Sequence, residues 1–499
     1  MRSHVRHEDK QTPTAIAEAT SRTRNDAVTS IWGVIALSLL LRVLFLGKSF
    51  WLDEGVAFAD AWAGGLPITR WSEWIRGLWQ GEFNMVFYFA LLRVWIQGGT
   101  SEIYLRLISV APAVATVPIV YALGKRLCNE RAGKIAAILL AVHGAHVGYS
   151  QELRGYTMVV FFAAASTLAL LLAIEERRNR YWFLYWVCSV LAVYTHFFGG
   201  LVVVSQWFSL WWTPPRIVRW KKLLATAAAI LLCVAPAVVF VLTNKGQQVD
   251  WIPKPSLGQM VNVFSEFAGS PTALPVYAVL WCFGILYFAR LKQARQRTRQ
   301  TWPMALVICW AVVPVILALI LSLKRPMLVP RYLLVSVPAC VLLASIGSTQ
   351  IATRRRHLLI GAAVVLSLAF IVVRYTRPKE NWRDATAYVM SHSQPTDAVA
   401  VVPWWSEGPF SYYKLRSDPK RVTDVPASAI AERRSIADVA ARHRRLWVIT
   451  YARPQGLSDP QVQASKAVLT EYYSLVEQRN FRLVRVLLYA PKPAISEAK

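Results

Sequence analysis

Asp53 and Glu54 stand side by side in Phe50-Trp51-Leu52-Asp53-Glu54-Gly55, just past the first long apolar run of the chain. Adjacent carboxylates at a membrane boundary are costly to dehydrate and need a reason to be there. One reason is chemistry, since a carboxylate can act as general base on an attacking hydroxyl. The other is structure: two solvated loop anions opening an amphipathic helix, with Asp53 as its N-cap. A second polar group, Ser150-Gln151-Glu152-Leu153-Arg154-Gly155-Tyr156, falls between two apolar runs. Its Glu152–Arg154 pair either caps a helix or binds substrate, with Gln151 and Tyr156 beside it.

Three cations, Lys324, Arg325 and Arg331, cluster in Lys324-Arg325-Pro326 and Pro330-Arg331-Tyr332. Such side chains can snorkel at an interface, but Arg and Lys also match the charge and geometry of a phosphate. His143 and His146, three apart, lack a third ligand nearby and read as hydrogen-bonding groups inside a bundle. His196, in Tyr194-Thr195-His196-Phe197-Phe198, divides between binding and structural roles. Trp51, Trp62, Trp71, Trp74, Trp79, Phe83, Phe87 and Tyr88 crowd the segment after Asp53. Interface belts use such rings, which also stack on sugar faces.

The elements that must position these residues are membrane spans. The 499-residue chain is 55% hydrophobic and only 17% charged, and its apolar residues come in long runs. A run of about 18 or more apolar residues crosses a hydrocarbon core. Expected spans lie at about 31–47, 102–123, 135–149, 156–174, 181–197, 199–212, 222–243, 272–289, 302–322, 332–349 and 358–373. The fold class is therefore a polytopic α-helical membrane protein of about eleven transmembrane helices. Asn84–Gln97, with Arg93 inside it, is too short to cross comfortably and fits a juxtamembrane or re-entrant helix.

Charge fixes the expected sides. The net charge of +28 is concentrated in short loops, around Lys125–Lys134, Arg177–Arg180, Arg216–Lys222, Lys292–Arg299 and Arg354–Arg356. Placed with the basic tail 1–30 in the cytoplasm, they satisfy the positive-inside rule. A nucleic-acid footprint would need a basic face on a soluble module, so no nucleic acid is expected. The first loop (about 48–101), the Ser150–Gly155 turn, His196, the loop around Asp250, the Lys324–Arg331 loop and everything after about Arg374 then lie outside. The expected partition is a cytoplasmic tail 1–30, a membrane catalytic domain 31–374 and an extracytoplasmic α/β domain 375–499. In that domain AVAVVPW, RLWVITYA and LVRVLLYA read as strands and IADVAARH as a helix. The six cysteines lie in or beside spans and read as packing residues.

The order of these motifs resembles the C-type (GT-C) superfamily of glycosyltransferases, in the branch of protein O-mannosyltransferases and lipid A aminoarabinose transferases. The resemblance rests on the Asp53-Glu54 pair in the first outer loop and on Arg106-Leu107-Ile108-Ser109 opening the next span. It continues with the complete Ser150–Tyr156 turn, Arg331-Tyr332-Leu333-Leu334 with Pro338, and Asn381-Trp382-Arg383-Asp384-Ala385 opening the tail. Where many members carry Pro-Pro-Leu-Tyr-Tyr, often after Lys or His, this chain reads Phe83-Asn84-Met85-Val86-Phe87-Tyr88 and has no basic residue.

The resemblance implies a transferase in the inner (plasma) membrane that takes a sugar from a polyprenyl-phosphate donor. The acceptor would be an extracytoplasmic glycan, lipid or protein. Asp53 is the expected general base and Glu54 a residue that orients the acceptor or shapes the site. Lys324, Arg325, Arg331, Tyr332 and Arg154 would face the donor phosphate, and Gln151, Glu152, Tyr156, His146 and His196 the substrates. No cofactor is expected; the sequence contains no metal cage and leaves divalent metal dependence open. Rival readings are a transporter or flippase of lipid-linked sugars, which would favour an inverted repeat and mid-membrane charges, or an inactive membrane scaffold.

Overall fold

A computed structural model describes residues 31–62, 71–213, 217–243, 251–293 and 301–492. The tail 1–30 and the loop around Asp250 lie outside the described residues. Before the C-terminal domain the elements are α1 (Ile31–Val43), α2 (Leu52–Trp62), α3 (Trp71–Gln80), α4 (Val86–Trp95), α5 (Glu102–Leu127), α6 (Glu130–Ala141), α7 (Gly144–Ser150) and α8 (Tyr156–Glu175). They continue as α9 (Asn179–Thr195), α10 (Gly199–Ser209), α11 (Trp220–Thr243), α12 (Leu257–Phe267), α13 (Leu274–Gln293), α14 (Thr301–Leu321), a 3-10 segment (Pro330–Ser336), α15 (Val337–Thr349) and α16 (Thr353–Thr376).

Seven of the described helices are long and apolar enough to cross a membrane, against about eleven expected spans. Each expected span is helical, but α1, α9 and α10 are short, with 17 residues in α9 and 11 in α10. The span expected at 135–149 breaks in two at Val142 and His143. There the His143 side chain turns inward and accepts the His146 N–H as an N-cap, restarting the chain as α7. The span expected at 332–349 likewise opens as the 3-10 segment, held against α14 by the Trp310 indole, which donates to Val335 O at 2.7 Å. The ten residues of α4 are only about 15 Å long. Its Arg93 is buried, donating to Ala61 O at 2.9 Å, so α4 packs beside α2.

Helix α5 sets the vertical scale, at about 39 Å for its 26 residues. At its far end Arg126 pairs with Glu175 and Glu176, Lys125 with Glu130, and Arg219 donates to Arg177 O. Three of the basic loops therefore gather at one end of the bundle. The Asp53-Glu54 turn, the Ser150–Tyr156 turn, Arg331 and the C-terminal domain gather at the other, around the start of α5.

The C-terminal domain adds α17 (Trp382–His392), β1 (Ala398–Val402), α18 (Glu407–Arg416), β2 (Thr423–Asp424), α19 (Arg433–Arg442), β3 (Leu446–Tyr451), α20 (Pro454–Leu457), α21 (Pro460–Tyr472), β4 (Tyr473–Phe481) and β5 (Val484–Pro491). Its sheet runs β2-β1-β3-β5-β4, with β1 parallel to β2 and β3, and β5 antiparallel to β3 and β4. The three expected strands are β1, β3 and β5, whose residues are largely buried. Strand β4, unforeseen, is an edge strand whose side chains are mostly exposed and polar. Such a strand carries little alternating hydrophobic signal.

The domain docks on the membrane unit where α18 meets α2. Gly55 and Gly408 lie so close that a Cβ on Gly55 would sit 2.2 Å from Pro409 N, and one on Gly408 2.6 Å from Gly55 C. Around this contact Tyr413 accepts the Phe50 N–H at 2.8 Å, and Arg383 and Arg416 both pair with Glu102 at the start of α5. A methyl group at Gly55 must therefore push α18 away. Gly55→Ala should cost about 1–3 kcal/mol of stability, while Gly361→Ala, in open space, should cost little. Melting curves of the purified variants check this, and equal melting points would contradict the close-packing account.

Candidate active site

The site begins with Arg106, fully buried one turn into α5. Its guanidinium forms a two-pronged ion pair with Glu54, from Nε to Oε1 and from Nη2 to Oε2, both at 2.7 Å. Its remaining N–H groups donate to the carbonyls of Leu46, Lys48 and Ser49, and the Phe50 ring packs on its face, 4.9 Å from Cζ. Arg106 thereby moulds the chain between α1 and α2. Glu54 in turn accepts from Leu153 N at 2.9 Å and from Lys379 Nζ at 3.1 Å. Burial alone would raise the Glu54 carboxyl, but Arg106, Lys379 and these hydrogen bonds hold it down to about 2.

With Glu54 turned inward, Asp53 faces the other way. Its Oδ2 lies 3.3 Å from Arg331 Nη2, and both side chains keep partial exposure, 19% and 22%. The two are close but not aligned as a hydrogen bond, so Asp53 Oδ2 is buried without a hydrogen-bond partner. Arg154 Nη1 reaches Asp53 O at 3.4 Å, and its guanidinium lies over the Tyr156 ring at 5.7 Å. Arg331 is ringed by Trp51, Trp251 and Tyr332, with Cζ 5.1–6.0 Å from the ring centroids. His196 packs on Tyr332 at 4.8 Å and on Tyr156 at 6.0 Å, and its ring is held by Asn84 and Phe198 N.

Ser109, one turn past Arg106, fixes the second motif to the same helix. It donates to Arg154 O at 3.1 Å, while Thr157 Oγ1 donates to Ser109 O at 2.7 Å. Around it buried polar atoms without hydrogen-bond partners accumulate: Asp53 Oδ2, Arg154 Nε, Tyr156 OH, Arg331 Nε and Glu152 Oε2. Buried polar groups are nearly always paired, so such a concentration calls for a functional explanation.

Other expected site residues are committed elsewhere. Gln151 donates to Leu44 O at 2.6 Å and to Arg42 O at 3.3 Å, closing the end of α1. His146 Nδ1 meets Arg42 Nη2 at 2.8 Å inside the bundle. Lys324 and Arg325 are exposed on the turn after α14 and make no side-chain hydrogen bond or ion pair among the described residues; of the three expected cations, Arg331 is the one paired with Asp53. Sequence reasoning passed over Asp60 and Glu82. Asp60 follows Asp53 by two helical turns on one face of α2. Burial, then Glu82, push its carboxyl up to about 7 against the pull of Arg154. Glu82 is likewise raised, by burial first and by Asp53, and opposed by Arg154. The seven-residue spacing from Asp53 was the signal available for Asp60. Among the described residues no three His, Cys, Asp or Glu side chains converge as a metal site.

Residues 84–240 match the family model described as dolichyl-phosphate-mannose-protein mannosyltransferase. The fold is similar to that of ArnT from Cupriavidus metallidurans in the apo state, with a TM-score of 0.62 and 12% identity over 93% of this chain and 98% of that one. It is also similar to ArnT bound to undecaprenyl phosphate (TM-score 0.58, 11% identity, 95% of this chain and 99% of that one). A third similarity is to the archaeal oligosaccharyltransferase AglB from Archaeoglobus fulgidus in complex with an inhibitory peptide and a dolichol-phosphate (TM-score 0.56, 11% identity, 96% and 75%). Comparison with curated protein sequences gives no match.

The Glu54 knot makes two testable statements. Removing one partner of a buried ion pair costs about 3–5 kcal/mol, so Arg106→Ala should destabilise by that amount or fail to fold. Glu54 ionises near 2 in the folded protein and near 4.5 when free. Its contribution is therefore complete above about pH 4.5 and is lost as pH falls towards 2. Acid-unfolding profiles of wild type and Glu54→Gln should diverge above that window and converge within it; parallel profiles would contradict the ion-pair assignment.

Proposed function

We propose that this chain, a membrane protein with the fold of the GT-C glycosyltransferases, transfers a sugar from a polyprenyl-phosphate donor to an extracytoplasmic acceptor. The observation that carries the reading is Asp53 facing Arg331 across 3.3 Å amid buried polar atoms that lack hydrogen-bond partners. A base and a phosphate-binding cation at one membrane surface are what such a transfer needs. The lipid phosphates named for ArnT and AglB support the donor class.

In this reading the basic loops face the cytoplasm of a cell with its site on the outer face of the inner (plasma) membrane. Asp53 takes the proton of the acceptor hydroxyl as its oxygen bonds to the anomeric carbon. The bond from that carbon to the phosphate oxygen breaks, and the electron pair leaves on the phosphate. Arg331 and Arg154 offset the growing charge in a partly dehydrated cleft, where fixed cations act most strongly. A phosphate leaves without prior protonation, so a second acid is not required. Attack from one face inverts the anomeric centre. Glu54, saturated by Arg106 and Lys379, shapes the site rather than reacting. Tyr156, Tyr332 and His196 form its aromatic wall, and the sheet domain after about residue 374 caps it.

Comparing envelope glycans and glycolipids of cells with and without the protein tests the activity. The wild-type chain should restore a missing sugar and Asp53→Asn should not, with transfer reduced at least about 100-fold in a protein that still folds. Near-normal transfer by Asp53→Asn sinks the base assignment. Arg331→Ala should weaken binding of polyprenyl phosphate about tenfold or more, as loss of a charged hydrogen bond does; unchanged affinity counts against the phosphate role.

A further inference from the structure

A cavity of about 270 Å³ opens beside Arg331, between α12, α7, α16 and the 3-10 segment. It has no part in the reading above except through Arg331, which belongs to its lining. Helix α12 turns one polar face to it: Asn262, Ser265 and Glu266 all line it, at i, i+3 and i+4. Ser270 adds a hydroxyl, and Tyr149 and Phe370 add ring surface. Glu266 Oε2 is buried without a hydrogen-bond partner.

The cavity is built rather than incidental. Helix α12 begins with a capping box, in which Ser256 and Gln259 satisfy each other's backbone groups. It ends where His143 Nε2 meets Phe267 O at 3.1 Å, which accounts for a buried histidine that the transfer chemistry does not use. Just beyond, Gly269 takes a φ of +83° and approaches the backbone of Gly144 closely: a Cβ there would stand 3.0 Å from Gly144 N. A side chain at that position would be strained and crowded, so the turn that closes the cavity requires glycine.

We propose that this cavity binds a monosaccharide ring, the glycosyl group of the lipid-linked donor, with Glu266 as a specificity-determining residue that hydrogen-bonds a ring hydroxyl. The inference rests on the transferase reading. Size is one argument: the volume suits one sugar ring with little to spare, being below the usual range of about 300–1,000 Å³ for small-molecule pockets. Chemistry is another, because a carboxylate, an amide, two hydroxyls and two ring faces are the groups that recognise a polyhydroxylated ring. Connection is the third. The glycosyl group is covalently attached to the phosphate assigned to Arg331, and Arg331 lies both in the cavity wall and beside Asp53. An acceptor ring offers the same hydroxyl chemistry but has no bond to that phosphate.

The test uses the full chain in detergent and short polyprenyl phosphates, unglycosylated or carrying mannose, glucose, galactose or arabinose. In the wild type at least one glycosylated probe should bind about tenfold or more tightly than the unglycosylated phosphate. Glu266→Gln, close in shape, should remove most of that gain and leave binding of the unglycosylated phosphate unchanged. Equal loss for both probes would make Glu266 a structural residue and overturn the inference. So would an unchanged sugar preference, or an effect confined to the KM of an acceptor. Wild-type protein that binds none of the phosphates would overturn the transferase reading itself, a result distinct from a missing sugar preference.

Discussion

The buried pair of Glu54 and Arg106 is the constraint on which the rest of the site depends. Two charges withdrawn from water are tolerated only when every lone pair and proton finds a partner, and here they do. Glu54 receives Arg106, Lys379 and the Leu153 N–H, while Arg106 spends its other donors on the chain leading out of α1. One ion pair thus joins four stretches that are remote in sequence: the first outer turn, the start of α5, the Ser150–Tyr156 turn and the segment entering the C-terminal domain. The direction in which Asp53 points follows from where Glu54 is anchored.

The C-terminal domain reinforces the same turn from the other side. Glu380 accepts the Leu52 N–H at 2.9 Å at the start of α2, and is itself held by Trp382 and Tyr451. Glu102, on the first turn of α5, is gripped by Arg383 and Arg416. The Asn381–Ala385 element noted in the sequence therefore supplies the joint between sheet domain and membrane bundle. The glycine contact of Gly55 with Gly408 lets α18 settle directly against the Asp53-Glu54 turn. The domain is part of the site's scaffold.

Much of the architecture was legible because membranes simplify the code. Apolar runs locate helices, and the clustering of Arg126, Arg177 and Arg219 at one end of the bundle follows the charge pattern of the loops. Strands β1, β3 and β5 are plain because they are buried runs; β4 is not, because an exposed edge reads like a loop. In the site, residue type and neighbourhood picked out Asp53, Arg154, Arg331 and Tyr332, which the fold brings together. The same reasoning could not foresee that Glu54 is consumed by Arg106, or separate Gln151 from Arg154, because adjacent residues on a turn point in different directions and only packing tells which is consumed. Lys324 and Arg325 illustrate the converse: cations near Arg331 in sequence stay exposed on the turn after α14, and neither pairs with Asp53. Glu266 gave no signal, since a lone carboxylate on a short amphipathic helix resembles any solvated face.

Magnitudes decide which carboxylate is free to act. Glu54 is wholly buried, and separating it from Arg106 would strand a charge at a cost of about 3–5 kcal/mol. The Asp53–Arg331 contact is partly exposed on both sides and poorly aligned. Without an aligned hydrogen bond this pair is held less firmly than Glu54 and Arg106, so in the proposed transfer an incoming phosphate can take Arg331 from Asp53. The aromatic ring of Trp51, Trp251 and Tyr332 around Arg331 keeps the cation in place during that exchange. In the proposed transfer the doublet thus divides its labour: Glu54 is held too firmly to react, and because it is, Asp53 can remain loosely paired among polar atoms that lack hydrogen-bond partners.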